Sequence, residues 1–162
     1  MVRVLVLLIG MSLLTPLSVF GGEAFAAHKG KKTEEGIEFE PACPQARNTP
    51  TAPEEFLRMN NPLEASRANL FAGQTLFHFD AEPGPCRVCH GISGNGLGIL
   101  FRQLSPGSRN FSCDVTMDKL PDGQLFWVIK NGSPGTAMPA FKNLDDDQIW
   151  QLVLYIRHFS EN

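Results

Sequence analysis

The sequence predicts an all-α fold, and three observations carry that reading. After Asp145, the residues Ile149, Leu152, Val153 and Ile156 recur at i, i+3, i+4 and i+7, behind Asp145 and Gln148 as a capping pair. A nearly continuous apolar block, Leu125 to Ile129, is entered at Asp122 as N-cap and stopped by Asn131-Gly132, so a helix over Gly123 to Lys130 is expected. No segment shows the polar–apolar alternation of a half-buried strand.

From the amino terminus, Met1-Val2-Arg3 precedes an apolar run from Val4 to Met11. Pro16 breaks that run, and Ala24-Phe25-Ala26 supplies small residues. This is the pattern of a secretory signal peptide over 1–26, cleaved after Ala26. The uninterrupted apolar part is shorter than the about 20 residues that span a bilayer. Residues 27–59 are polar and broken by Pro41, Pro44, Pro50 and Pro53, and read as an extended or loosely packed arm. A short helical turn near Glu54 to Leu57 is the only element expected there. Residues 60–162 form the remaining domain, one core's worth of chain. The whole chain has 14 Lys and Arg against 17 Asp and Glu, a net charge of −3 that offers nothing to nucleic acid.

The domain's first helix is expected from Asn61-Pro62, as N-cap and first helical residue, to about His78. Gly73 sits inside it at a cost of about 1 kcal/mol relative to Ala, which points to another backbone passing close by. Pro83-Gly84-Pro85 then delivers Cys86-Arg87-Val88-Cys89-His90. Two thiols separated by two residues, with a histidine directly after, read as a c-type haem attachment site. Each thiol adds to one vinyl group on a porphyrin edge, and His90 falls where a ring nitrogen can bind the iron. With 4 Cys and 4 His in 162 residues, a chance occurrence has odds of about 0.002. A structural zinc site would need a second ligand pair, and Cys43 and Cys113 stand alone. A thioredoxin-like pair would follow a strand in a βαβ pattern, and none precedes Cys86.

Four glycines between Gly91 and Gly98 suit a loop that passes close to a large flat ligand. Leu100, Phe101 and Leu104 look like apolar wall. The second axial ligand has five candidates: Met59, Met117, Met138, His78 and His158. Met138 is preferred, because it lies in a Gly/Pro-framed loop and not on a helical face where methionine serves as core filler. Haem attachment places the chain outside the cytoplasm, so a periplasmic protein is expected. In that oxidising compartment Cys43 and Cys113 suit a disulfide tying the arm to the loop before Asp122, with two unpaired thiols as the alternative.

These residues together resemble class I monohaem cytochrome c of the short bacterial type, also found in oxidase and dehydrogenase subunits. The matching parts are Gly73-x-x-Leu76-Phe77, Cys86 to Gly91, the Gly-rich loop, Asn131-Gly132 with Met138-Pro139-Ala140-Phe141, and the last helix with Trp150 and Tyr155. The resemblance implies a cytochrome c fold, helices around one covalently held haem c. His90 and Met138 would be its axial ligands, and the first and last helices would cross at Gly73 and Tyr155. It also implies that Arg109 and Trp127 line the haem or meet its propionates. Members often carry proline where Ile99 follows Gly98, so the sequence does not name the carbonyl that orients His90.

A centre with imidazole and thioether ligands has no open position and a raised potential, which fits one-electron transfer and not oxygen binding. The expected role is an electron carrier between redox protein partners, as a shuttle or as the cytochrome subunit of a membrane redox complex. The alternative class is a haem enzyme or gas sensor with a displaceable Met138.

Overall fold

The computed structural model describes residues 39–45 and 49–161. The expected signal peptide lies outside these residues, as does the start of the polar arm. In chain order the elements are α1 (Glu54–Leu57), α2 (Arg67–Thr75) running on into a π-helical turn (Leu76–Asp80), α3 (Arg87–His90), a 3-10 turn (Phe101–Gln103), α4 (Asp114–Met117), α5 (Asp122–Asn131) and α6 (Asp146–His158). No strand occurs among the described residues, and no helix there is long and apolar enough to cross a membrane.

The carboxy-terminal helix α6 forms where its sequence signals place it. Asp145 accepts from the Gln148 N–H at 2.8 Å, and the Gln148 side chain accepts from the Asp145 N–H at 3.0 Å, closing both halves of the capping box. Its stripe of Ile149, Leu152, Val153 and Ile156 is buried at the centre of the core. Each such side chain contributes about 1.5–3 kcal/mol relative to exposure.

Helix α2 packs across α6 at Gly73. A Cβ there would run into the Gln151 carbonyl and stand 2.9 Å from the Tyr155 Cβ, so only glycine permits this approach. The helix starts later than Asn61-Pro62 signalled. Ser66 is the N-cap, accepting from the Asn69 N–H, while the Asn61 amide donates to the Trp150 carbonyl at 2.9 Å. The Asn61 Oδ1 does accept locally, from the Leu63 N–H at 3.0 Å, but this closes a single turn and the helix itself begins only after Ser66. Beyond Thr75 the turn widens, with the Ala81 N–H reaching back to the Leu76 carbonyl at 3.1 Å. This extra residue buries Leu76, Phe77 and His78 in succession.

Helix α5 ends at Gly132, whose φ of 78° needs a glycine, as Asn131-Gly132 signalled. Its start differs from expectation. Asp122 is inside the helix, and its carboxylate pairs with Arg157 at 2.8 Å instead of capping. The Arg157 guanidinium also donates to the carbonyls of Met117 and Leu120, latching α6 to α4 and to the entry of α5.

The described part of the arm, residues 39–45 and 49–60, is not loosely packed. It belongs to the same compact unit as the helices. Cys43 and Cys113 form a disulfide. The Ala52 N–H donates to Gln124 Oε1 at 2.8 Å, and Gln124 Nε2 donates to the Pro50 carbonyl at 3.1 Å. Helix α1, the turn expected near Glu54, stacks Phe56 on Phe126, which stacks in turn on Trp150. Polar, Pro-rich composition did not reveal this order, because it comes from side-chain bonds to distant backbone.

Candidate functional site

The Cys86–His90 segment folds as one helical turn. Its amide bonds run back from Cys89 and His90 to the Cys86 carbonyl and from Gly91 to Arg87. The turn keeps Cys86, Cys89 and His90 within one short element, and Gly91 at φ 85° ends it. The Gly-rich loop then folds back on the turn. Gly96 N–H donates to the His90 carbonyl at 2.7 Å, and Gly98 N–H to the Cys89 carbonyl at 3.2 Å. A side chain on Gly98 would meet the backbone of Val88 and Cys89, so this loop braces the motif from behind. It contributes no lining to the cavity, a correction to the expectation that it wraps the ligand directly.

Met138 is held with similar care. Its N–H donates to Thr136 Oγ1 at 3.1 Å, and its carbonyl accepts from the Ser133 N–H at 3.2 Å. The Phe141 N–H donates to the Ile129 carbonyl at 3.1 Å, pinning the far end of the loop on α5.

Between these two arrangements lies a cavity of about 210 Å³. Cys86, Cys89, His90 and Met138 all line it, with Val88, Leu104, Phe111, Ile129, Phe141 and Ile156 as apolar wall. A second lobe of about 60 Å³ shares His90, Phe111, Ile129, Met138 and Ile156, and adds the polar groups of Thr49, Arg109, Gln124 and Ser133. Of the five candidates for a second ligand, Met138 alone lines these lobes with His90. Met117 is fully buried in the core, and Met59 packs beside it. His78 Nε2 bonds to the Tyr155 hydroxyl at 2.8 Å, and His158 is exposed near the end of α6.

The side chains fit a haem. His90 Nδ1 faces the Arg109 carbonyl at 3.0 Å and must donate to it, which leaves the lone pair on Nε2, the form that binds iron. Desolvation raises the pKa of both cysteines, Cys86 to about 12, so both are neutral thiols near pH 7. The apolar wall suits a macrocycle, and Arg109 brings a cation to the edge of the second lobe. Leu104 is a wall residue as expected, whereas Leu100 and Phe101 lie outside the lining.

Two residues carried over by resemblance differ in outcome. Arg109 lines the second lobe and donates from its guanidinium to Thr49 Oγ1 at 3.0 Å, and its own carbonyl is the one that orients His90. Trp127 lines neither lobe. It is half-buried on α5, and the fully packed indole is Trp150. Thr49 and Gln124 were missed by sequence reasoning, since no motif marks them.

The helices and the cavity at the Cys86–His90 turn are consistent with the all-α cytochrome c fold. Residues 79–156 match the family described as cytochrome c oxidase, cbb3-type, subunit III. Among solved structures, a chain of the reducing HAO-like protein complex of Kuenenia stuttgartiensis shares the fold. Its TM-score is 0.50 at 24% identity, over 64% of this chain and 48% of that one, so the match spans about half of that neighbour. No curated protein matches the chain.

Proposed function

We propose that this chain is a one-electron carrier of the periplasm, holding one haem c through thioethers to Cys86 and Cys89 with His90 and Met138 as axial ligands. The observation that carries the reading is the single cavity onto which all four side chains converge. When bound, the haem supplies a one-electron ferric/ferrous couple. His90 presents Nε2 because the Arg109 carbonyl holds the Nδ1 proton. Met138, on a loop braced at Thr136 and Ser133, would supply a thioether as the second ligand, which would favour the reduced state and leave no position for substrate. The apolar wall excludes water and pushes the potential the same way. Export rests on the sequence pattern of residues 1–26. Work as a subunit of a redox complex, rather than as a free shuttle, is supported by the family description and by a segment before the domain longer than a shuttle needs.

The intact mass of the mature chain tests the first claim, and should carry the increment of one haem. The ferric spectrum should show a weak sulfur-to-iron band toward the red that disappears in Met138→Ala. Ready binding of carbon monoxide by the reduced wild type would overturn the carrier reading in favour of a sensor or enzyme.

A further inference from the structure

Residues 42–45 lie alongside residues 108–116, the stretch that carries the Arg109 carbonyl facing His90. The two segments are joined covalently at Cys43–Cys113, with Cα atoms 5.5 Å apart, and the Gln45 N–H donates to Thr116 Oγ1 at 3.2 Å. The Gln45 side chain makes the contact that matters. Its Nε2 donates to the Ser108 carbonyl at 2.7 Å, and its Oε1 accepts from the Asn110 N–H at 3.0 Å. Those two backbone groups flank Arg109, whose carbonyl accepts from His90 Nδ1. Asn110, 2% exposed, adds a bond from Nδ2 to the Ala42 carbonyl at 3.1 Å.

A partner set of one carbonyl and one N–H, two residues apart on the same strand of chain, demands a donor and an acceptor on one planar group. Glutamine offers that pair, whereas glutamate has no donor. The segment carrying it lies outside the family match at 79–156, so the grip on the proximal side belongs to this chain's own amino-terminal part.

We propose that Gln45 is a positioning residue for the proximal ligand. By gripping the backbone on both sides of Arg109, it keeps that carbonyl aligned with His90 Nδ1 and so sets the electron density that the imidazole offers to iron. The proposal rests on His90 being an axial ligand of haem. A well-aligned carbonyl draws the Nδ1 proton and makes the imidazole a stronger donor, which favours the ferric state. Loosening the carbonyl weakens the donor and favours the ferrous state.

The test uses the haem-loaded chain as wild type, Gln45→Ala and Gln45→Met, the last keeping length and neutrality while losing both the donor and the acceptor. For Gln45→Ala the ferrous-to-ferric ratio at a fixed ambient potential should rise about tenfold, which is about 59 mV for a one-electron couple. The His90 Nδ1 proton resonance should shift, and amide exchange at Asn110 should accelerate. Gln45→Met should move the potential in the same direction. Faster Asn110 exchange with an unmoved potential and His90 resonance would show a purely structural clamp and overturn the proposal. If Gln45→Ala does not fold, Gln45→Met and the wild type with the Cys43–Cys113 bridge reduced carry the comparison. A raised potential in either sustains the proposal, and an unmoved one in both overturns it. A wild type without His90 ligation to iron would instead bring down the reading of the site, and the proposal with it.

Discussion

Replacing Gly73 by alanine sets two energies of opposite sign against each other. On helix propensity alone, Gly73→Ala should stabilise α2 by about 1 kcal/mol. At this position, however, the new methyl would overlap the Gln151 carbonyl and approach the Tyr155 Cβ to 2.9 Å. Neither neighbour is the free end of a flexible side chain, so α2 and α6 must separate. Overpacking of this kind costs about 1–3 kcal/mol and occasionally more. Separation also loosens Phe77 and Tyr155, whose rings meet edge-on at 5.5 Å across the same crossing. Taking the upper part of that range and subtracting the propensity gain leaves a net loss of about 2 kcal/mol. For a domain of this size that lowers the midpoint of thermal unfolding by about 5–8 °C. Urea unfolding of the haem-loaded protein, followed by far-ultraviolet circular dichroism, gives the free energy directly. A Gly73→Ala protein as stable as wild type, or more so, would refute the crossing geometry and leave local propensity in charge.

Other perturbations probe the remaining seams. The double variant Cys43→Ser, Cys113→Ser opens a bridge of sequence separation 70, and should lose about 4 kcal/mol in urea titration on the chain-entropy model. Arg157→Leu strands the Asp122 carboxylate and two carbonyls, and should cost about 2–3 kcal/mol by the same assay. Burial, and then the nearby Arg87 charge, hold the His78 imidazole below its ordinary pKa of 6.5. The unfolded chain therefore takes up this proton first, so the contribution of His78 to stability is complete above pH 6.5 and lost as pH falls below it. His78→Gln should flatten the fall in unfolding temperature between pH 7.5 and pH 5, and an unchanged slope would refute the assignment.

What was legible in the sequence is what local chemistry fixes. The attachment turn, the capping box at Asp145 and the stop at Gly132 each need only a few neighbouring residues, and each appears where its motif stands. Gly73 was legible too, because a glycine inside a helix asks for a close neighbour. The start of α2 was not. Asn61 makes a local turn of its own, its Oδ1 accepting from the Leu63 N–H, so the start signal read there is present while the continuous helix is capped at Ser66. Trp127 was misplaced for a related reason, since an apolar run from Leu125 to Ile129 does not reveal which face of α5 turns inward. The carbonyl that orients His90 comes from a stretch with no regular structure, held by Gln45, Thr49 and the disulfide. Nothing in the pattern of residues 39–60 announces that role.

The pocket is sealed by joins between widely separated parts of the chain: 43 with 113, 45 with 108 and 110, 73 with 151, and 122 with 157. During synthesis the Cys86–His90 turn emerges well before α6, so the binding chamber does not exist when its anchoring thiols are first within reach. The late arrival of the last helix leaves an interval in which both sulfurs are accessible. Contacts of such long loop length also form slowly. For the haem proposed above, loading of a still-open chain before the helices close would be the order of assembly that this topology favours.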